Sequence, residues 1–365
     1  MSNKLSLLRS RFFAIPAIGS VLLVLSWDRS LAWPILLALG LVLIATVFSA
    51  VHHAEVVAVK VGEPYGSLIL AAAVTIIEVG MIVVLMLENP TKTLDLARDT
   101  VFAAVMITTN GIIGGALLIK TLKKKVATFN ADGVVGALAV LAALSILSLV
   151  LPSFTTSSSG PTFTPTQLAF AAVTSLILYL TFVAMQTVRH RDYFLPPARP
   201  NAEQSPNEHV TPPTNAVAIW SLAGLIISLV AVVGLAKVTS PLIQGVVDGL
   251  GFPQMVVAVS IAMVVLLPES ISAFKAASYG RTQTSLNLAL GSALASIGLT
   301  IPAIAIVSSM LGLQVNLGLD GTDIVFLLLT LFVAALTLIP GRATLLQGVV
   351  HLSIFGAFLM VVVMP

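Results

Sequence analysis

Long runs of apolar residues without a single charge constrain this chain more than any other feature. The stretches 100–119, 133–188, 282–319 and 343–365 contain no Asp, Glu, Lys or Arg. About 20 apolar residues suffice for a helix to cross the hydrocarbon core of a bilayer. Only 9% of the chain is charged, whereas a soluble domain carries about 25%. These observations exclude a water-soluble fold and place most of the chain in lipid.

The apolar runs predict an all-α polytopic bundle of about eleven transmembrane helices. A transmembrane barrel is excluded because its strands would alternate apolar and polar residues, and these runs do not. Breaks at Gly, Pro and charged residues divide the runs into spans at 12–27, 32–51, 64–88, 100–120, 132–151, 166–187, 215–236, 250–274, 283–312, 323–340 and 343–364.

The distribution of basic residues tests this count independently. With eleven spans, fourteen Lys and Arg fall on one side of the membrane and four on the other, out of eighteen. Cytoplasmic loops are enriched in these residues. The sequence therefore predicts a cytoplasmic amino terminus and an extracytoplasmic carboxyl terminus.

A Pro-rich polar stretch divides the chain into two halves. Residues 188–214 contain few aliphatic side chains and indicate a cytoplasmic linker. The predicted organisation is an extra first helix over 1–31, a first repeat over 32–187, the linker, and a second repeat over 215–365. Five spans in each half make the repeats run in opposite directions through the membrane, as in many secondary transporters.

Each half contains one glutamate deep inside an apolar span. Glu78 lies in TIIEVG and Glu269 in LLPESI, and both occupy the second helix of their half. Burying an ionisable group near a bilayer centre costs about 2.5–3.5 kcal/mol, so such a residue usually faces a cavity or a partner. The alternative for either residue alone is a protonated, structural glutamate. We also expect Pro268 to break the helix beside Glu269.

Neutral side-chain oxygens accompany the two carboxylates and are candidates to line a polar cavity. In the first half, Thr75 lies one turn before Glu78, and Thr109 and Asn110 lie in the next helix. In the second half, Ser270 follows Glu269, and Ser292 lies in the next helix. Small-residue helix packing is the alternative explanation for the hydroxyls. Carboxylate, amide and hydroxyl oxygens together suit a hard cation such as Ca²⁺, and buried carboxylates also take up protons. The pattern favours exchange of a cation for H⁺.

At these residues the sequence resembles the calcium/proton exchanger family of the cation/calcium exchanger superfamily, and within it the bacterial ChaA-type antiporters. The matching segments are HHAEVVAVKVGEPYGSLILAAAVTIIEV, RDTVFAAVMITTNGIIGG and LPESISAFKAASYGRTQTSLNLALGSALASIGLTIP. The resemblance implies eleven helices, Glu78 and Glu269 as cation ligands, Asn110 as an oxygen ligand, and Ser296 as its counterpart in the second repeat.

The family's Gly-Asn-Ala-x-Glu pattern is not kept around either glutamate, so Na⁺ or K⁺ exchange stays open beside Ca²⁺ exchange. A cation channel is a further alternative. The sequence lacks the HExxH, GxSxG and Walker motifs of zinc proteases, hydrolases and ATPases, which favours a transporter over an enzyme. We expect no cofactor, no nucleic acid and no obligatory protein partner; the expected partners are lipid, inorganic cations and protons.

Two basic or titratable clusters are assigned structural roles. His52, His53 and Glu55 lie at the cytoplasmic end of the second predicted span and are interpreted as a polar helix end, with pH sensing as the alternative. The lysines between 120 and 125 are interpreted as a topology anchor.

Overall fold

A computed structural model describes residues 2–196 and 213–365, with side chains from residue 12 onward. The predicted linker over 188–214 therefore lies mostly outside the described residues. Within the described ranges the chain is helical, apart from short turns and one pair of two-residue strands.

Eleven consecutive helices make up the described part of the chain. They are α1 (Ser2–Ser26), α2 (Trp33–Val61), α3 (Tyr65–Glu88), α4 (Leu96–Lys123), α5 (Ala131–Phe154), α6 (Pro165–Arg189), α7 (Asn215–Leu250), α8 (Met255–Ser278), α9 (Thr282–Leu311), α10 (Gly321–Leu338) and α11 (Leu345–Val363). The α4, α5 and α6 helices include π-helical turns at Ile107–Ile112, Ile146–Val150 and Met185–Arg189.

The prediction of an eleven-helix membrane bundle is confirmed. Ten of these helices, α2 to α11, are long and apolar enough to cross a membrane, and α1 contributes the shorter apolar segment Phe12–Ser26. Five helices lie between α1 and the linker, and five follow the linker. An inverted repeat requires such an odd number of helices in each half. The chain is a multi-pass membrane protein.

Two helices extend well beyond their predicted spans. The sequence places the end of α2 at 51 and the end of α7 at 236, but the helices continue to Val61 and Leu250. Both end at a glycine with positive φ, Gly62 at 79° and Gly251 at 69°. The apolar stretch shows only which part of a helix lies in lipid. The helix itself ends where a residue leaves helical geometry. Polar ends such as HHAEVVAVK therefore stay helical.

The helices form two compact units that are each discontinuous in sequence. The first contains α1, α2, α3 and α7, and the second contains α4 to α6 and α8 to α11. Packing in three dimensions thus follows a different division from the sequence halves.

A proline organises the packing of α1 on α2 in the first unit. Pro16 has no N–H, so the carbonyl of Phe12 lacks the helical donor four residues ahead. Ser49 Oγ and His53 Nε2 of α2 donate to this carbonyl oxygen at 2.7 and 3.2 Å. His52 stacks on the Phe12 ring with 3.8 Å between centroids. The side chain of Glu55 is exposed. These contacts give the two histidines a structural role at the junction of α1 and α2.

The α4 helix is the centre of the second unit. It is buried over 78% of its apolar stretch, more than any other span, and it contacts α8, α9 and α11. Beyond its end, strand β1 (Ala127–Thr128) pairs antiparallel with β2 (Arg342–Ala343), with Ala127 opposite Ala343. This pairing ties the α4–α5 connection to the α10–α11 connection.

A buried arginine anchors the start of α4 in the second unit. Arg98 Nε donates to Asp99 Oδ1 at 2.7 Å, and Nη1 donates to the Gly318 carbonyl oxygen at 2.8 Å. Arg98 and Asp99 are only 5% and 6% exposed. Arg98 Nη1 also lies 3.5 Å from Asp95 Oδ1. The guanidinium therefore joins α4 to the loop that precedes α10, and its charge is balanced locally.

Replacing Arg98 with Met should lower the thermal stability of the purified protein strongly. The change leaves the Asp99 carboxylate buried without its partner, which costs about 3–5 kcal/mol. Asp28→Asn is the matched control, because it removes an exposed ion pair with Lys237 at 3.5 Å, worth about 0–1 kcal/mol. The midpoint of thermal unfolding in detergent measures both variants, and equal midpoints would contradict the anchoring role.

Reporter fusions test the predicted orientation of the chain. Green fluorescent protein inserted in the 197–212 region should fluoresce, because that loop is predicted to be cytoplasmic. The same reporter after residue 365 should be dark, whereas alkaline phosphatase there should be active. A fluorescent carboxyl-terminal fusion would show that the number of crossings or the orientation is wrong.

Candidate functional site

The first unit places Glu78 in the middle of α3 with 2% of the residue exposed. The α7 helix approaches closely beside it, since a Cβ at Gly80 would lie 2.5 Å from Val233 Cγ2. Thr75, one turn earlier, is 7% exposed, and its Oγ1 has no hydrogen-bond partner among the described residues. An acidic side chain and a buried hydroxyl oxygen with unused bonding capacity thus share one stretch of α3.

The second unit contains a π-helical turn where the sequence reads ITTNGI. Over Ile107–Ile112, α4 changes from α to π geometry and then returns to α. Such turns add one residue to a helix, redirect the side chains around them and occur frequently at functional sites. Thr108, Thr109 and Asn110 lie in this turn and are fully buried.

Asn110 is held by side chains from two other helices. Its Nδ2 donates to Thr330 Oγ1 of α10 at 2.8 Å, and its Oδ1 lies 3.0 Å from Nδ1 of His351 on α11. His351 Nε2 in turn lies 3.2 Å from Thr337 Oγ1. A buried amide needs hydrogen-bond partners, and here residues far away in the chain supply them. Thr109 Oγ1, next to Asn110, has no hydrogen-bond partner among the described residues.

Glycines after the π turn allow neighbouring helices to approach. A Cβ at Gly114 would lie 2.9 Å from Cβ of His351 and 3.1 Å from the backbone nitrogen of Leu352. A Cβ at Gly115 would lie 2.7 Å from Phe274 on α8. These contacts bring the backbones of α4, α8 and α11 together around the turn.

Glu269 lies on α8, but the expected helix break at Pro268 is wrong. The α8 helix runs without interruption over Met255–Ser278 with Pro268 inside it. Proline removes one hydrogen bond to the carbonyl four residues earlier, yet the flanking bonds and the packing of α8 against α4 maintain the helix. Glu269 is half-buried, and Ser270 Oγ donates to its own helix at the Leu266 carbonyl, 2.7 Å away.

The predicted residues of the second unit lie on three helices in mutual contact. The π turn of α4, with Thr109 and Asn110, contacts both α8, with Glu269 and Ser270, and α9, with Ser292 and Ser296. Ser296 is buried and Ser292 is half-buried. Glu78 and Thr75 belong to the first unit. The ligand roles of all these residues stay predictions.

Three polar residues that are hydrogen-bonded to Asn110 directly or through His351 were not predicted from the sequence. Together with Asn110 they form the Asn110 cluster. Thr330, Thr337 and His351 are each 0–1% exposed. His351 offered a signal, because a histidine inside the apolar run LLQGVVHLSIFGAFL is as unusual as a buried glutamate. The threonines offered none, since Thr is common in apolar helices as a packing residue.

The predicted site residues offer oxygen ligands rather than the nitrogen and sulfur ligands of a soft metal. The chain contains no cysteine, and the described residues include no group of three or more His, Asp or Glu that could hold a metal. A cation bound by a glutamate here would have to complete its shell with hydroxyl, amide or backbone oxygens. Such ligands are typical for Ca²⁺ and the alkali cations rather than for zinc or copper.

Comparison with known proteins identifies the family. The family model described as sodium/calcium exchanger protein matches residues 31–188 and 220–364. The chain belongs to the sodium/calcium exchanger protein family. The match covers α2 to α6 and most of α7 to α11, including every candidate site residue named above.

Two curated relatives of this exchanger resemble it over nearly their whole length. The putative ionic transporter y4hA of Sinorhizobium fredii is 47% identical over 331 residues, covering 91% of this chain and 89% of the relative. The sodium-potassium/proton antiporter ChaA of Escherichia coli is 30% identical over 370 residues, covering 99% and 100%. The predicted resemblance to ChaA-type antiporters is confirmed.

Solved exchanger structures share the fold. The H⁺/Ca²⁺ exchanger CAX superposes with a TM-score of 0.73 at 16% identity, covering 98% of this chain and 88% of that one. Native YfkE superposes with a TM-score of 0.72 at 16% identity, covering 97% and 100%. At this identity the likeness concerns the helical architecture.

Gly114→Ala should disturb the Asn110 cluster. The added methyl would press on His351 and on the α11 backbone, and overpacking of this kind costs about 1–3 kcal/mol. Gly136→Ala in α5 is the matched control, because a Cβ there meets nothing within 4 Å. Thermal unfolding should show a lower midpoint for the first variant only. Equal midpoints would indicate that α4 and α11 are not in close contact.

Proposed function

We propose that this exchanger is a secondary active cation/proton antiporter that exports Ca²⁺ in exchange for H⁺ by alternating access. The observation that carries the proposal is the pair of glutamates, Glu78 and Glu269, each inside a membrane-spanning helix of a chain from an exchanger family. Ionisable residues at this depth usually mark an ion or proton pathway.

Competition between cation and protons supplies the exchange mechanism. A carboxylate must lose its proton before it can bind a metal ion, so binding the cation releases protons and binding protons releases the cation. Asn110 and Ser296 would contribute neutral oxygens, and Thr75, Thr109, Ser292 and Ser270 would line the cation pathway. The two threonines in this set have buried hydroxyls without a hydrogen-bond partner among the described residues, which is compatible with such a role.

Exchange of Na⁺ or K⁺ for H⁺ is the second candidate. The observation in its favour is the 30% identity to a sodium-potassium/proton antiporter over 99% of this chain. The same glutamates would then bind one or more monovalent ions in place of a single divalent ion. Both candidates share the exchange mechanism and differ in the cation.

The proposed location is a bacterial inner membrane, with the amino terminus in the cytoplasm. Lipid, inorganic cations and protons are the partners that this function requires, and it requires no enzymatic step.

Glu78→Gln and Glu269→Gln should each abolish exchange. In everted membrane vesicles with an acidic interior, Ca²⁺, Na⁺ or K⁺ added to wild type should partly collapse the pH gradient, read by a fluorescent amine. The amide variants cannot exchange a proton for a cation, so their response should fall to that of vesicles without the protein. Comparison of the three cations in this assay identifies the preferred one.

Glu63→Gln is the control variant, since Glu63 is exposed at the start of α3 and bonds Ser67 Oγ at 2.6 Å. It should respond like wild type. A normal response in Glu78→Gln or Glu269→Gln would remove that residue from the site. Cation flux without proton movement would indicate a channel.

A further inference from the structure

Four buried side chains form a continuous hydrogen-bonded chain across three helices of the second unit. The order is Thr337, His351, Asn110 and Thr330, with successive distances of 3.2, 3.0 and 2.8 Å. Each of these residues is at most 1% exposed. Only Asn110 belongs to the sequence-predicted site.

The orientation of the Asn110 amide, with Nδ2 facing Thr330 and Oδ1 facing His351, sets the donors and acceptors along this chain. Asn110 Oδ1 can only accept, so the hydrogen between it and His351 belongs to Nδ1. The neutral imidazole then has its lone pair on Nε2, which accepts from the Thr337 hydroxyl. At the other end, Thr330 Oγ1 accepts from Asn110 Nδ2 and directs its own hydrogen to Met106 Sδ at 3.4 Å.

Within the described part of the chain, the partners of the Asn110 amide leave a single hydrogen-bonding position unused. One N–H of Nδ2 is donated to Thr330 and the other faces Met106 Sδ at 3.8 Å. Oδ1 has two lone pairs, and His351 occupies one of them. A flipped amide would place its N–H groups against the Nδ1–H of His351. With its hydrogen on Nδ1, the imidazole therefore holds the amide in the orientation in which the free lone pair belongs to oxygen.

We propose that His351 is a positioning residue for the transported cation: its Nδ1–H holds the Asn110 carboxamide so that one lone pair of Oδ1 faces the ion. Thr337 assists by bonding Nε2 on the other side of the imidazole ring. This inference rests on the proposed cation transport and on Asn110 as a ligand. It assigns to α10 and α11 a part in cation binding through residues that need not touch the ion.

A pair of substitutions separates positioning from packing. The amide nitrogen of an Asn side chain can occupy the place of Nδ1, whereas the amide of Gln reaches the place of Nε2. His351→Asn should therefore retain a donor to Asn110, and His351→Gln should lose it while filling a similar volume. Losing one neutral hydrogen bond corresponds to about a tenfold change in an equilibrium constant.

The expected result is a KM for the preferred cation about tenfold higher in His351→Gln, with a maximal rate near wild type. His351→Asn should stay within about threefold of wild type. Thr337→Val should give a smaller increase of KM, because the imidazole keeps its bond to Asn110. Ser353→Ala is the control on α11, since Ser353 is exposed and bonds its own helix at Val349.

A second measurement keeps the inference separate from the transport proposal. The cation-induced rise in the unfolding midpoint of purified protein reports binding without transport, and it should be reduced in His351→Gln but not in His351→Asn. Equal KM values and equal cation-induced shifts in the two variants would overturn the positioning role. A wild type that binds cations without exchanging protons would overturn the antiport proposal alone, and one that neither binds nor exchanges cations would overturn both.

Discussion

The cost of placing a polar group in a low-dielectric interior determines how this protein is built. Hydrocarbon offers no water to satisfy a donor, an acceptor or a charge, so each one must find a partner within the protein or serve a function. Several such groups lie where separate segments of the chain meet. The Arg98 guanidinium, the Phe12 carbonyl and the Asn110 amide each join different helices because each would otherwise be unsatisfied.

These polar contacts differ in whether they leave a hydrogen-bonding position without a partner. Arg98 is surrounded by carboxylates and a backbone carbonyl, and it acts as an anchor between α4 and the loop before α10. The Phe12 carbonyl receives two donors in place of the one that Pro16 lacks. Asn110 is different, because its partners among the described residues occupy every position except one oxygen lone pair. The contrast separates two fully bonded junctions from a residue that keeps one acceptor position unused.

The α4 helix of the second unit contains a buried anchor, an irregular turn and two close contacts with other helices. Its start is held by Arg98, its middle departs from α geometry at the π turn, and its later part contains the glycines that admit α8 and α11. A helix fixed at one end and closely packed at the other can hold an irregular turn between them. This arrangement explains how six residues of π-helix persist at the most buried place in the unit.

The sequence by itself determined that the chain lies in lipid, that it forms about eleven helices and that each half has one glutamate deep inside an apolar span. Those properties depend on composition along short stretches, and hydrocarbon tolerates few exceptions to them. The sequence did not determine the ends of α2 and α7, the continuity of α8 at Pro268 or the partners of Asn110. Each of those depends on packing between residues far apart in the chain, such as Asn110 and His351, 241 positions away. Only the tertiary structure could decide them, because a buried polar group is satisfied by whichever helix the fold brings beside it.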